Sequence, residues 1–443
     1  MSNSSLDAIK SAGVVGAGGA GFPTWMKLKA RPDTIIVNGA ECEPLLRVDQ
    51  LLMARYPKEI AHGLQAILTL TGAKAGIVAL KQKYTQALVE LKKSIKEYEA
   101  LSICILDDIY PSGDEQVLVY TALKRSIPPG QIPLSVGVVV INVETLLNVH
   151  WALAGQPITH KYVTITGAVN TPCTIRVPLG TAIREVIKQA GGPTIESYAL
   201  INGGPCMGSL TQENEVITKT TNGIVALPED HPVIIGLRRP FSFNLKRAMS
   251  VCNQCQRCTE LCPRHLLGHP IRPHMTMRMM AYNMSNLDVV REALLCSECG
   301  ACDLYACSFG LSPRQVNRMI KQELRQAGTK IDWLDDVGKP HAERDYRLIP
   351  TKRLINSLAL HQYDVPAPWY EGPLRIEEVK LPLKQHIGAA ATAIVKIGDM
   401  VSVGQLIAQI PSEVLGVNLH ASIQGVITAI HPEITIVSRQ EDI

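Results

Sequence analysis

The sequence predicts a multidomain chain: a parallel α/β domain first, then a small α+β module, a helical cysteine-rich domain and a compact all-β module. Three observations carry this. Apolar runs alternate with helical stretches over the first 150 residues, eight of the twelve cysteines fall between Cys252 and Cys307, and short β runs separated by Gly and Pro resume at Leu374. A length of 443 residues is also too great for a single core.

In the first domain (1–158), Thr34–Asn38 reads as a buried strand, Pro57–Leu70 as an amphipathic helix and Gly76–Leu80 as a second strand. Gln86–Tyr98 reads as a charged helix, and Ser102–Leu106 and Gly137–Asn142 as two more strands. Strands alternating with helices imply a parallel sheet. In the second module (159–240), Tyr162–Gly167 alternates as a strand, and Pro178–Gly192 reads as strand end, helix and a Gly-Gly stop. Residues 241–330 are helical in character around the cysteines, 331–372 form a proline-bearing linker that wraps other domains, and 373–443 form the all-β module.

Composition excludes several function classes. The formal charge is +4, from 44 basic against 40 acidic residues, which gives no support for a nucleic-acid or membrane-surface role. The first ten residues, MSNSSLDAIK, have neither a basic n-region nor an apolar h-region, so export is not expected. The most apolar stretches, Gly63–Leu80 and Val136–Leu147, are interrupted or too short for the ~20 residues of a spanning helix. A cytoplasmic location is therefore expected, and clustered cysteines there point to metal rather than disulfides.

The cysteines form two groups, Cys252-x2-Cys255-x2-Cys258-x3-Cys262-Pro263 and Cys296-x2-Cys299-x2-Cys302-x4-Cys307. Three thiolates at successive x2 spacing fold a short loop around one corner of a cubane, and the fourth, followed by proline, commonly ligates the other cluster. Cys252, Cys255, Cys258 and Cys307 are thus expected to hold one [4Fe–4S] cluster, and Cys296, Cys299, Cys302 and Cys262 the second. The second group is one residue longer before its last cysteine, and Ser308 stands where the first has proline, so the fourth ligand is less firmly set there. Structural zinc at one four-thiolate site would leave four cysteines unexplained, and at two sites would not explain the triple x2 spacing.

Gly16-Ala-Gly18-Gly19-Ala-Gly21 satisfies G-x-G-x-x-G, yet only Val14-Val15 precede it and Phe22-Pro23-Thr24 follow. That context suits an extended loop better than a Rossmann turn, which needs a strand before and a helix after. The glycine run with Lys27, then Asn38-Gly-Ala-Glu41-Cys-Glu43-Pro, Gly113-Asp114-Glu115 and Val140-Ile-Asn142-Val-Glu-Thr145, resembles the flavin-binding signature of the complex I NADH-oxidising flavoprotein subunit. The resemblance implies FMN held by Gly16, Gly18, Gly19, Gly21, Lys27, Asn38, Glu41, Glu43, Gly113, Asp114, Glu115, Asn142 and Thr145. Glycines would let backbone N–H groups approach phosphate and ring, a lysine would offset phosphate charge, and Asn and Glu would bond ribityl and ring heteroatoms. One departure is Ala40, where the complex I subunit carries an acid.

Gly203-Gly204-Pro205, Thr218-Lys-Thr-Thr-Asn222-Gly223, Leu383-Lys-Gln-His-Ile-Gly388, Val395-Lys-Ile-Gly398-Asp399 and His420-Ala-Ser422 resemble the C subunit of the Rnf electron-transport complex. By the same resemblance the second module is a soluble-ligand-binding β-grasp domain and Leu383–Ile430 lies in a lipoyl-like barrel-sandwich hybrid. Gly416-Val-Asn-Leu-His-Ala-Ser offers no lysine at the hairpin tip, so no swinging arm is expected. In the Rnf subunit this hybrid stands at the N-terminus; here it stands at the C-terminus, an order similar to the corrinoid reductases of propanediol-utilisation microcompartments. That family implies electrons passing from NADH through FMN and two clusters to cobalamin. It further implies partnership with an adenosyltransferase and with shell proteins of a bacterial microcompartment. An Rnf-like relay subunit is the alternative. No catalytic side chain and no corrinoid pocket is singled out.

Three further features have blander expectations. Met275, Met277, Met279, Met280 and Met284 should be adaptable core. His265, His269 and His274 should be solvated helix histidines, and Cys42 a small buried thiol.

Overall fold

The computed structural model describes residues 2–282, 286–329, 338–411 and 414–439. Met284, residues 331–337 of the expected linker and residues 440–443 lie outside the described residues. Among the described residues, no helix is long and apolar enough to cross a membrane.

The first domain is built on a four-stranded parallel sheet: β1 (Thr34–Gly39), β2 (Ala75–Lys81), β3 (Leu101–Leu106) and β4 (Val138–Asn142), in the order β3-β2-β1-β4. β1, β2 and β4 are apolar without alternation because both faces are covered, whereas the edge strand β3 leaves Ser102 and Ile105 exposed. Ile35, Val37, Val78 and Leu80 face a core shared with helices Pro57–Thr71 and Val143–Leu153. Ile36, Ala79, Val138 and Val140 face Leu118 and Val119 of helix Glu115–Leu123. The expected charged helix runs from Thr85 to Ser94, ending short of Tyr98, because the chain turns there (Tyr98 N–H to Ile95 O, 3.0 Å) to enter β3. The chain passes from β1 to β2 on one side and returns to β4 on the other. The crevice beyond the carboxyl ends of β1 and β4 is therefore the topological switch point, where open α/β sheets place ligands.

The second module has a five-stranded mixed sheet: β5 (His160–Gly167), β6 (Cys173–Pro178), β7 (Tyr198–Asn202), β8 (Ser209–Thr211) and β9 (Gly223–Pro228), in the order β6-β5-β9-β7-β8. Helix Ile183–Gln189 covers one face through Ile183, Val186 and Ile187. Gly191 and Gly192, both at positive φ, end that helix region as expected.

The cysteine-bearing domain packs Met277, Met279, Ala248, Val289, Val316 and Ile320 together, with Cys252 and Cys307 against them. The methionines described are thus core. The C-terminal module forms two small sheets whose Val379, Leu381, Ile407, Leu419, Ile427, Ile434 and Ile436 merge with the core of the first domain. The segment where a lipoylated domain would carry its lysine is turned inward. Gly416 O accepts from Trp25 Nε1 at 3.1 Å, and His420 is buried.

The expected linker is a structured strap. Ile349–Pro350 pairs with Ile109–Tyr110 of the first domain, and Trp369 bridges to Thr174 in β6. Between them, helix Thr351–Ser357 buries Leu354, Ile355 and Leu358 among Leu45, Tyr110, Ile201, Val225, Ile234 and Ala301, contributed by three domains. Leu354→Ala should therefore destabilise the domain arrangement by about 2–5 kcal/mol. Urea unfolding should show a lower midpoint, and limited proteolysis should cut earlier near residues 338–372. Unchanged behaviour in both would mean that the strap merely rides on the surface.

Candidate flavin crevice and cysteine quartets

The glycine run is a loop closed by the Val15–Pro23 bridge and by Gly16 N–H to Phe22 O at 3.0 Å. It is not a strand–turn–helix, which removes the Rossmann reading. Gly18 passes so close to β4 that a Cβ would lie 2.8 Å from Asn142 Nδ2, whereas a Cβ on Gly19 would meet nothing within 4 Å. Residues Gly18–Ala20 are exposed. Gly21 adopts φ +72, and a Cβ there would stand 3.0 Å from Thr220 and 3.1 Å from His386 Cα. The loop is therefore gripped by the β-grasp module on one side and the C-terminal module on the other.

The remaining expected residues converge beyond β1 and β4, many bracing backbone. Thr145 Oγ1 accepts from Ala17 N at 2.8 Å, tying the glycine loop to the helix after β4. Asn142 caps that helix (Oδ1 from Glu144 N, 2.9 Å) and donates to both Asp49 oxygens at 3.1 Å. Asn38 Nδ2 donates to Gly113 O at 2.9 Å, and Gly113 N donates to Cys42 Sγ at 2.7 Å. Lys27 pairs with Glu115 at 3.1 Å across the loop and the opposing helix. Asp114 engages both oxygens: Oδ1 caps helix Glu115–Leu123, and Oδ2 holds Arg264 at 2.8 Å. Glu41 accepts from Asp49 N at 2.7 Å and Glu43 from Cys206 N at 2.8 Å, while Glu43 Oε1 has no partner.

Burial dominates the electrostatics. It raises the Glu41 carboxyl to about 7 and lifts Asp49 well above the carboxylate range, with Glu41 repulsion next for Asp49. Glu43 is likewise raised to about 7 by burial, against the pull of the Cys206 and Met207 N–H groups and Arg314. Behind them lies a fully buried ion pair between Lys161 of β5 and Glu144, with Lys161 also donating to Asn222 Oδ1 at 2.7 Å. Asn222 closes the Thr218–Gly223 motif. That motif thus acts in the joint between modules as well as beside the glycine loop.

The cysteines fall into two quartets. Burial raises the Cys258 thiol to about 12, with Cys307, Cys252 and Cys255 as its charged neighbours. Cys302 is raised by burial, with Cys296, Cys299 and Cys262 among its neighbours. Cys262 is raised to about 11, and Cys296 is the cysteine near it. Each loop of three is therefore joined by the last cysteine of the other loop. Among the described residues no three His, Cys, Asp or Glu side chains are grouped as a single metal ion would require.

The second quartet abuts the crevice. Tyr110 OH donates to Cys299 O at 2.5 Å, and Arg264, two residues after Cys262, makes the pair with Asp114. The histidines expected to be solvated are not. His269 is buried with Nε2 3.0 Å from Ile127 O, His265 stacks on His341 at 4.4 Å, and His274 bonds Thr259 at 2.7 Å. His269 thereby joins the cysteine domain to the first domain, and burial lowers all three pKa values. Cys42 is half-buried and accepts a backbone N–H.

Sequence reasoning missed Asp49, Tyr110, Lys161 and Arg264. Asp49 had a signal, an acid at the start of a helix just after the Glu41–Pro44 motif; the others depend on contacts distant in sequence.

Fold and site together define a flavin- and iron–sulfur-type redox protein with four domain models. They are the Nuo51 FMN-binding domain (9–151), the SLBB domain (162–209), a 4Fe-4S dicluster domain (251–312) and the RnfC barrel sandwich hybrid domain (373–442). The chain is 43% identical over 439 residues to "Cobalamin reductase PduS" of Salmonella typhimurium (strain LT2), covering 97% of this chain and 96% of that one. The protein of the same name from Citrobacter freundii is 43% identical over 431 residues, covering 96% and 94%. The chain belongs to this PduS family. The C subunit of the Na(+)-translocating ferredoxin:NAD(+) oxidoreductase complex of Acetobacterium woodii is 34% identical over 271 residues, 59% of this chain and 58% of that one.

The raised Glu43 carboxyl gives a pH prediction for the apoprotein. Its native pKa (about 7) exceeds the ordinary 4.5, so the native state holds an extra proton between those values. The associated stability is full below pH 4.5 and is lost as pH rises through about 7. Glu43→Gln should flatten this loss by up to about 3 kcal/mol, read as melting temperatures at about pH 5 and pH 8. Equal losses in parent and variant would remove Glu43 as the source.

Proposed function

We propose that the chain is a flavin- and iron–sulfur-dependent oxidoreductase that passes electrons from NADH to cobalamin. The observation carrying this reading is the contact between crevice and second quartet, through Tyr110–Cys299 and Asp114–Arg264. It sets a candidate two-electron site against a candidate one-electron site. The PduS relatives, named cobalamin reductases, supply the acceptor in this reading.

The crevice residues fit a phosphorylated flavin. Exposed backbone at Gly18–Ala20 would take the phosphate with Lys27 beside it, and the unpartnered Glu43 Oε1 is a polar atom available to a ligand. The quartets would each hold a [4Fe–4S] cluster. When bound, FMN accepts two electrons as hydride and releases them singly, and cubanes accept them one at a time. The chain's own contribution is positional. Thr145 and Asn142 hold the glycine loop against β4, Asn38 and Cys42 fix the Gly113 turn, and Arg264 holds the cysteine loop to that turn. Support of coenzyme B12 regeneration by an adenosyltransferase inside a microcompartment is part of the same reading, by family.

Anaerobic NADH titration of the holoprotein should bleach flavin absorbance and generate reduced-cluster EPR signals, and added cob(III)alamin should reverse both. Reduction by dithionite but not NADH would favour the relay reading, with a separate donor. The exchanged fourth ligands have their own test. Cys262→Ser should perturb the second cluster's EPR signal and Cys307→Ser the first's, each losing about four irons per chain. If either variant perturbed the signal of its own loop's cluster, the exchange would be wrong.

A further inference from the structure

A cleft of about 400 Å³ lies between helix Pro232–Arg238 of the β-grasp module and helix Pro313–Gln326 of the cysteine domain, and Cys307 is in its wall. In the proposed ligand assignment Cys307 completes the first quartet. The volume is in the range of small-molecule sites. None of the residues expected to contact flavin lines it.

The lining is amphipathic. Val233, Leu237, Leu304 and Leu311 supply apolar surface, and Arg239, Arg314 and Arg318 supply three guanidinium groups against one carboxylate, Asp303. Arg314 is held by Asp303 at 3.1 Å, Arg239 donates to Gly310 O at 3.2 Å, and Arg318 reaches Glu298 at 2.8 Å. The wall keeps unmet hydrogen-bonding capacity: Asn244, 4% exposed, has one buried oxygen with no partner. Leaving a buried acceptor unpaired is costly, so this oxygen points to a ligand bearing donors.

We propose that this cleft seats one edge of the corrinoid acceptor. The inference rests on reading the chain as a cobalamin reductase. Cobalamin carries peripheral amides and a single phosphodiester on an otherwise apolar macrocycle. Amide N–H groups suit Asn244 Oδ1, the phosphodiester suits the guanidinium groups, and the ring edge suits the leucines. A ligand seated here lies against Cys307.

Gly236 gives a clean test. It lines the cleft on the outer helix, and a Cβ there meets nothing within 4 Å, so a large side chain obstructs the cleft without displacing core. Gly236→Trp and Arg239→Glu should each raise the Kd for hydroxocobalamin at least tenfold, read by equilibrium dialysis with the holoprotein. Flavin and iron–sulfur absorbance and melting temperature should be retained. If the parent binds and reduces cobalamin while both variants bind it equally well, the cleft assignment is overturned and the reductase reading stands. If the parent neither binds nor reduces cobalamin, the reductase reading itself falls and the cleft assignment with it.

Discussion

The joint between Arg264 and Asp114 is the contact on which the redox architecture turns. Asp114 is already committed as the cap of helix Glu115–Leu123, so its position is set by the first domain before Arg264 arrives. Both side chains are largely buried, and losing either partner would strand a charge in the interior at a cost of several kcal/mol. Because Arg264 follows Cys262 by two residues, the pair holds that cysteine's loop at the Gly113–Glu115 turn. His269 bonding Ile127 O and Tyr110 bonding Cys299 O make the same joint at two other points. Three contacts distant in sequence hold the domains in one relative position.

The glycine loop is fixed in a similar way, by neighbours rather than by its own sequence. A six-residue loop rich in glycine has high conformational entropy when free. Here Thr145 holds Ala17, and Thr220 and His386 crowd Gly21 from two modules. Lys219 reinforces this: it is buried, its pKa is lowered to about 7 by burial alone, and it donates to Gly13 O at 2.8 Å and Asn418 O at 3.1 Å. The C-terminal module therefore braces the loop from the far end of the chain, and its apolar core is continuous with that of the first domain.

Local signals were legible in the sequence and long-range ones were not. The strands of the first sheet announced themselves because burial on both faces demands unbroken apolar runs, as in Thr34–Gly39 and Val138–Asn142. The cysteine spacing foretold two loops, and Cys258 has Cys307 among its neighbours while Cys302 has Cys262 among its own. Residues 338–372 read as linker because their helix, Thr351–Ser357, is short and its apolar residues meet three separate domains, leaving no periodic stripe of useful length. The histidines misled for a related reason. Nothing near His269 in sequence signals that Ile127 will stand 3.0 Å away.

Several of the acids around the crevice are buried, and this follows from the same convergence. Glu41, Asp49 and Glu144 come from the first domain, whose own buried Lys81 is paired with Asp108. The buried counter-charge beside Glu144 is Lys161, contributed by the neighbouring module. Isolated, such a group of carboxylates would favour neutral forms, which is the direction burial drives Glu41, Asp49 and Glu144. Docking of β5 inserts the ammonium of Lys161 beside Glu144, and Asn222 and the Tyr162 carbonyl satisfy its remaining protons. Glu144 thus gains its counter-charge only when the β-grasp module is in place, whereas Glu41 also has Arg47 and Lys81 of its own domain. The module's Thr218–Gly223 motif, which also meets the glycine loop through Thr220, makes its docking a condition for the crevice's shape and its charge together.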